Sequence, residues 1–324
     1  MMSGIEKKQE ELRDVLERIL RQRQFNGLLL SGGLDTSILA YIAAEIKDFE
    51  VVTVGFAPTD KPDVRYSRKV ASDLGLKQHL KIFDLSEMKR AMERTVKIEE
   101  TFDPIEVRNS AAVFLALEEA EKKGLNKILT GDGADEIFGG YSFLFDLGRK
   151  EQRENINKML DNMRISSKIL SDDLGVDVEI PYTDDEIIGF SKKINPLYLV
   201  RKHDGKTYGK WLLRKAFEDL PEEVIWREKA PIEKGTGTEH ISEKMDISDD
   251  RYNEEKNHIF QNDNVKIRSK TQLYCYKIYK EEFSVPKPED KDKSVCPYCN
   301  SSVLADQNFC RTCGNGFDQK GDAT

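Results

Sequence analysis

The chain has 324 residues, 38% of them hydrophobic, enough for about two domains at roughly 150 residues each and for a sizeable buried core. Its 51 basic and 59 acidic side chains give a net charge of −8 without a long single-sign block, which argues against a surface that coats nucleic acid. No apolar run approaches the about 18–20 residues of a membrane span, and the charged N-terminus lacks the apolar core of a signal peptide, so a soluble cytoplasmic protein is expected.

In chain order, Ile5, Leu12, Val15, Leu16, Ile19 and Leu20 recur at helical spacing among charges and predict a leading amphipathic helix within residues 1–24. Gly27 to Leu30 reads as a buried strand, broken at Ser31-Gly32-Gly33, with a helix resuming over 36–46. The unit then repeats: strand 51–56, helix 64–74, strand 78–83, helix 86–96, helix 110–123 and strand 127–130. Strands that alternate with helices imply crossover connections, hence an α/β fold with a doubly wound parallel sheet. Ligands in such sheets bind beyond the carboxyl ends of the strands. From about residue 149 the strand signal fades, and 149–285 reads as mainly helical, ending in a helix over 271–283. Residues 286–294, with Pro286, Pro288 and alternating charges, read as a linker to a cysteine module at 295–316.

Two glycine-rich segments carry chemistry. Ser31-Gly32-Gly33-Leu34-Asp35-Thr36-Ser37 falls between a strand and a helix, where backbone N–H groups and a helix N-terminus converge on an anion. Asp35 would repel bare phosphate, and Mg²⁺, which bridges carboxylates to phosphates, gives it a reason. A plain capping turn is the competing explanation. The loop itself carries no Gly-Lys-Ser/Thr, so it is not of Walker type. The second segment, Thr130 to Tyr141, places three carboxylates and four glycines in twelve positions directly after a strand. Crowded carboxylates raise one another's pKa and cost stability unless a cation or a reacting proton sits among them.

The first loop resembles the pyrophosphate loop of the ATP pyrophosphatase superfamily, and the second, Gly131-Asp132-Gly133-Ala134-Asp135-Glu136-Ile137-Phe138-Gly139-Gly140-Tyr141, resembles a segment of the asparagine synthetase family. Glu100-Thr101-Phe102-Asp103 looks like that family's substrate-facing stretch, Trp226-Arg227-Glu228-Lys229 with Gly235-Thr236-Gly237 like its lysine loop, and Thr271 to Phe283 like its closing helix. The resemblance covers roughly residues 20–285 and makes 1–285 a synthetase domain of the adenine nucleotide α-hydrolase (PP-loop ATPase) type.

It implies a ligase in which the side-chain carboxylate of aspartate attacks the α-phosphate of ATP, forming β-aspartyl-AMP and pyrophosphate, before ammonia displaces AMP. Leu30, Ser31, Gly32, Gly33, Asp35, Thr36 and Ser37 would then bind ATP and pyrophosphate, and Asp35 and Asp135 would hold Mg²⁺. Val54 would meet adenine through its backbone, and Thr130 and Gly131 would line the nucleotide. Lys229 would stabilise charge on the α-phosphate from a closing loop, although a solvated surface lysine is the commonest fate of that residue type.

The chain departs from the family pattern in three places. Asp132 stands where the family has glutamate, so general-base help to ammonia would come from a carboxylate retracted by one methylene. Glu179 stands where an arginine is usual, and its reversed charge opens the choice of acid: the same adenylation on another acid or amine, including a lactam-type closure, is an alternative. No cysteine precedes Cys275, so the nucleophile of a glutaminase domain is missing, and ammonia, another amine or a separate glutaminase is expected as nitrogen source. A weakly catalytic ATP-binding scaffold that docks a partner is the reading from a different class.

Cys296-x2-Cys299-x10-Cys310-x2-Cys313 resembles a zinc ribbon, and four thiolates without histidine indicate a closed, structural Zn²⁺ site. Acidic residues slightly outnumber basic ones from Lys287 onward, so protein docking or stabilisation of the C-terminus fits the ribbon better than nucleic acid. Tyr298 and Phe309 are expected to form its small core, and Cys275 to be a packed thiol.

Overall fold

The computed structural model describes residues 4–57, 59, 61–288, 293–304, 307 and 309–317. Residues 289–292 of the expected linker, 1–3 of the leading helix and 305, 306 and 308 of the cysteine module lie outside the described residues. The chain forms two compact units. The first comprises Met1–Gly55, Lys61–Lys81 and Ala116–Pro231, and the second Phe56–Asp60, Ile82–Leu115 and Ile232–Thr324.

The first unit begins with α1 (Gly4–Gln22), which buries Leu12, Val15, Leu16, Ile19 and Leu20, the apolar stripe of the sequence. The strands that follow are β1 (Gly27–Leu29) and β2 (Glu50–Phe56), with α2 (Leu34–Ala44) between them. In chain order there follow α3 (Pro62–Asp73), β3 (Lys77–Phe83), α4 (Leu85–Glu99) and α5 (Pro104–Lys122), of which α4 and α5 up to Leu115 belong to the second unit, and then β4 (Lys127–Leu129), α6 (Ala134–Phe138), α7 (Arg149–Asp161), α8 (Ser166–Leu174) and β5 (Asp177–Glu179). Five strands make one sheet in the order β3-β2-β1-β4-β5. β1 pairs in parallel with β2 (Gly27 opposite Glu50) and with β4 (Gly27 opposite Ile128), and β4 pairs in parallel with β5 (Lys127 opposite Asp177). The chain therefore runs outward from β1 to β3 and returns on β1's other side as β4. That reversal is a topological switch point, and both glycine-rich segments leave from it, after β1 and after β4.

The helical expectation for 149–285 holds in the main, through α9 (Asp185–Lys192), α10 (Trp211–Ala216) and α11 (Glu222–Ile225), with α1 packed on α9 and α10. Strands occur there too. β5 carries a single apolar residue, Val178, between Asp177 and Glu179, too short a pattern for periodicity to separate from loop. β6 (Arg201–His203) and β7 (Lys206–Tyr208) form a polar hairpin around Asp204-Gly205, both at positive φ (48° and 79°).

In the second unit, α4 opens on a capping box: Asp84 accepts from the Glu87 backbone N–H at 2.9 Å, and Glu87 accepts from that of Asp84 at 3.1 Å. α5 starts at Pro104, six residues before the position expected from apolar spacing, because proline suits the first helical turn and Asp103 accepts the Ile105 N–H at 2.9 Å. Beyond α12 (Ile232–Gly235), α13 (Ile241–Lys244) and α14 (Asp249–Asp263), α15 (Lys270–Phe283) packs on α4. The C-terminal module consists of two short antiparallel ladders, β8 (Ser294–Val295) with β9 (Ser302–Val303) and β10 (Phe309–Cys310) with β11 (Asn315–Gly316). No described helix is long and apolar enough to cross a membrane.

Candidate active site

The turn after β1 is fixed by its own hydroxyls. Ser31 and Thr36 hydroxyls lie 3.1 Å apart, the Ser31 N–H donates to Thr36 Oγ1 at 3.3 Å, and Gly33 N–H donates to Ser31 Oγ at 3.2 Å. α2 begins behind Gly33, which has no side chain to cap the helix, so the first-turn N–H groups face the turn. Gly32 sits at φ +67°, and a Cβ there would lie 2.4 Å from the Ser67 backbone nitrogen, so only glycine is accommodated. Leu30 is buried, its N–H donates to Val52 O at 2.9 Å, and Val54 lies buried on the adjacent β2. Ser37 is buried in the first turn of α2.

Asp35 and Asp135, far apart in sequence, converge on one cation. That cation is Lys210, whose Nζ lies 2.5 Å from Asp35 Oδ2 and 2.8 Å from Asp135 Oδ1. Lys229 adds a second ammonium 2.7 Å from the same Asp135 oxygen. Burial works against the charge on Lys210, but Asp135 and Asp35 outweigh it and raise its pKa. Burial likewise works against the charge on Asp135, and Lys210 and Lys229 outweigh it and hold Asp135 below its ordinary value. Asp35 is moved upward, chiefly by burial. Gly140 makes room for this contact, since a Cβ there would lie 1.8 Å from Asp135 Oδ1 and 2.4 Å from Lys210 Cε.

The crowding expected of the second motif is thus relieved by lysines. Asp132 is handled differently: its Oδ2 accepts from Thr130 Oγ1 at 3.0 Å and from Ser167 Oγ, and burial raises its pKa. Glu136 accepts from Tyr141 OH at 2.5 Å, and the Tyr141 ring lies 4.0 Å from Lys229 Nζ. Gly131 abuts the first loop, where a Cβ would come within 2.9 Å of Thr36 Cγ2.

The structure brings together Ser31, Gly33, Asp35, Thr36, Gly131, Asp135 and Lys229. Lys210 and Arg227 are functional candidates that no local sequence pattern singles out. Arg227 donates to Ser31 O at 3.2 Å and pairs with buried Asp63 at 2.7 Å, which ties the lysine loop to the phosphate loop. The signal that could have found Lys210 is the charge balance, because three crowded carboxylates need a cation from elsewhere in the chain. Glu179 is also paired: Arg23 reaches it at 3.1 Å and Asp184 at 2.6 Å, so its negative charge is compensated within the unit.

Asp35 Oδ1 is buried and has no hydrogen-bond partner among the described residues. A free carboxylate oxygen beside a second carboxylate fits an oxygen-seeking divalent cation, with Lys210 already carrying part of the compensation.

The asparagine synthase family model matches residues 7–172 and 149–267. The chain belongs to the asparagine synthase family. It is 28% identical over 268 residues to an asparagine synthetase [glutamine-hydrolyzing] of Triphysaria versicolor, covering 71% of this chain and 44% of that protein. It is 29% identical over 244 residues to the nodule asparagine synthetase [glutamine-hydrolyzing] of Pisum sativum, covering 69% and 41%. It thus spans less than half the length of these relatives. Among solved structures it is similar to the NMN synthetase of Francisella tularensis, with a TM-score of 0.38 and 12% identity over 87% of this chain and 95% of that one.

The region matched by the asparagine synthase model stops before the four clustered cysteines, which form a separate centre in the second unit. Cys296, Cys299, Cys310 and Cys313 are buried, with all four Sγ atoms within 4.8 Å of one another. The Cys296–Cys313 and Cys299–Cys310 sulfurs are each 3.7 Å apart. A tetrahedral ion with zinc–sulfur bonds of about 2.3 Å requires about 3.8 Å, whereas a disulfide requires about 2 Å. Polar groups face the sulfurs: Asn315 Nδ2 donates to Cys313 at 3.2 Å, Tyr298 N–H to Cys296 at 3.4 Å, and Ser301 Oγ lies 3.0 Å from Cys299 and 3.1 Å from Cys310. The donor set fits zinc. The expected aromatic core of the module is corrected: Phe309 is 42% exposed and Tyr298 half-buried under Lys266, while Val303 and Phe317 are buried. On β10 successive side chains alternate, so Cys310 pointing inward turns Phe309 outward. Cys275 is buried on α15, as expected of a packed thiol.

Proposed function

We propose that the protein is an ATP-dependent amide ligase that forms AMP and pyrophosphate, and that it makes asparagine from aspartate and ammonia. The observation that carries this reading is the Asp35–Lys210–Asp135–Lys229 network at the switch point of the sheet, beside a phosphate-type loop. Membership of the asparagine synthase family supports it.

The turn from Ser31 to Ser37 would receive the β- and γ-phosphates on its N–H groups and hydroxyls, with Thr130, Gly131, Leu30 and Val54 along the nucleoside. Asp35 and Asp135 would hold the magnesium, which when bound offsets phosphate charge. The aspartate side-chain carboxylate attacks the α-phosphorus, the bond from that phosphorus to the bridging oxygen breaks, and pyrophosphate leaves. Lys229 leaves Asp135 to meet the charge that builds on the α-phosphate, so its ammonium is used where charge develops. Ammonia then attacks the acyl carbon, AMP departs with one oxygen of the original carboxylate, and Asp132, whose pKa burial raises, takes the proton released by nitrogen. The nitrogen donor in this reading is ammonia, free or supplied by a separate glutaminase. The pairing of Glu179 with Arg23 removes the charge that would most oppose an acidic substrate. Cys296, Cys299, Cys310 and Cys313 hold a structural zinc.

The test is pyrophosphate release from ATP, Mg²⁺ and ammonium, with and without aspartate, following AMP and asparagine in parallel. Aspartate-dependent release with asparagine in equal amount is expected. Release that ignores aspartate would refute the choice of acid.

A further inference from the structure

We infer that the tetrathiolate zinc centre acts as a clamp that sets the conformation of the Glu100–Asp103 segment and the start of α5. The inference rests on the reading of the four cysteines as a zinc site, and it concerns contacts confined to the second unit.

The second CxxC turn points its backbone carbonyls at the body of the unit. Phe102 N–H donates to Thr312 O at 2.8 Å, and Thr101 Oγ1 donates to Arg311 O at 2.7 Å. From α15 and the stretch before it, Gln272 Nε2 donates to Cys313 O at 2.8 Å and Arg268 reaches Cys313 O and Gly314 O at 3.2 and 2.9 Å. Every acceptor is a main-chain oxygen of Arg311, Thr312, Cys313 or Gly314. Their directions are therefore fixed by the fold of that turn. Gly314 N–H donating to Cys310 O at 2.7 Å and a two-residue ladder close the turn, and the ion bound by Cys310 and Cys313 would fix it against the first CxxC pair.

The recipient segment depends on this contact. Glu100 ends α4 at φ +55°, a backbone conformation that L residues seldom adopt and that persists where surroundings over-determine it. Phe102 is fully buried, with its ring 5.1 Å from both Tyr276 and Tyr279. Asp103 caps α5 through Ile105 N–H while its carboxylate lies against Gly314, where a Cβ would come within 2.2 Å of Asp103 Cγ. The ribbon is thus welded to the segment by hydrogen bonds and close backbone contact, which distinguishes it from an appended module on a tether. Without the ion, nothing joins the two CxxC turns through their sulfurs, the second turn opens, and the carbonyls that hold residues 101–103 lose their direction.

The experiment is hydrogen exchange on the full chain, zinc-loaded, stripped by chelator, and reloaded with zinc, with zinc per chain measured each time. The expected result is one zinc per chain before stripping. Exchange at Phe102, Asp103 and Ile105 then rises at least tenfold on stripping and returns on reloading, while residues 27–44 of the first unit change less than twofold. A second arm uses Gly314→Ala, which keeps all four cysteines. Zinc content near one per chain with faster exchange at Phe102 supports the clamp. Zinc loss without a change at Phe102, or unchanged Phe102 exchange in Gly314→Ala, overturns the clamp and leaves the zinc reading intact. A chain that binds no zinc overturns both. Absence of pyrophosphate release alongside the expected exchange pattern refutes the ligase reading alone.

Discussion

The carboxylate cluster of the first unit and the cysteine cluster of the second both gather like charges, and they are compensated in opposite ways. Asp35 and Asp135 are neutralised by ammonium groups of the chain itself, Lys210 and Lys229, brought from at least 75 positions away in sequence (210 against 135). The four sulfurs receive only polar N–H and O–H groups, and no side-chain cation is among the partners found for them in the described residues. A site that binds and releases charged substrates benefits from compensating groups that can move, whereas a permanent metal centre is closed on all sides. The difference fits the proposed reading, in which the first cluster serves turnover and the second architecture.

The sharpest way to break that contrast is to remove the resident ammonium. Lys210→Met leaves two buried carboxylates facing each other, and the first unit should lose about 3–5 kcal/mol, measured by urea unfolding. An unchanged midpoint would mean that Lys210 is not what holds the carboxylates together. Lys229→Ala should separate catalysis from folding. Pyrophosphate release should fall about 10²–10³-fold, the usual cost of one transition-state donor, with the thermal midpoint little altered because Lys210 still serves Asp135.

Asp132→Asn tests the raised carboxylate. Its folded pKa lies above the unfolded value, so its contribution to stability is fully present below the unfolded pKa, about 3.9, and is lost as pH rises through the folded value. The asparagine variant should therefore show less loss of stability across that rise, be at least as stable as the parent at neutral pH, and be slower in amide formation. Lower stability at neutral pH would place the value of Asp132 in its bonds to Thr130 and Ser167 instead. The smallest effect is expected of Arg23→Ala. Its ion pairs with Glu179 and Asp184 are partly exposed and worth at most about 1 kcal/mol, but it uncovers Glu179. KM for aspartate should rise with kcat nearly unchanged, and an unaltered KM would separate Glu179 from the acid's environment.

What was legible in the sequence follows the range of the interactions. The Ser31–Ser37 turn, the Gly131–Tyr141 segment and the cysteine pairs are local patterns, set by backbone geometry or ligand spacing, and each emerges as a local structure. The alternation of strands and helices gave the parallel sheet, yet β5 escaped because one buried valine makes no period. The β6–β7 hairpin escaped although its Asp204-Gly205 turn is a recognised signal, since its strands are polar. Lys210 was invisible for a different reason. It stands beside Gly209 at the start of α10 with φ 54°, and nothing local marks a lysine whose partners are Asp35 and Asp135. Glu179 was visible as a charge reversal, but Arg23 as its counterion follows only from the fold, which packs α1 on the 181–183 turn directly after β5. Residue type alone puts Phe309 in the core, and the alternation on a two-residue strand turns it outward.

In the proposed reaction an acid is activated by bonding its own carboxylate oxygen to the α-phosphate of ATP. The most direct test supplies aspartate labelled with ¹⁸O in its side-chain carboxylate, together with ATP, Mg²⁺ and ammonium, and examines the AMP by mass spectrometry. One ¹⁸O in the AMP phosphate, with pyrophosphate and asparagine in equal amount, is the predicted result. Unlabelled AMP, or ADP with inorganic phosphate as products, would contradict it.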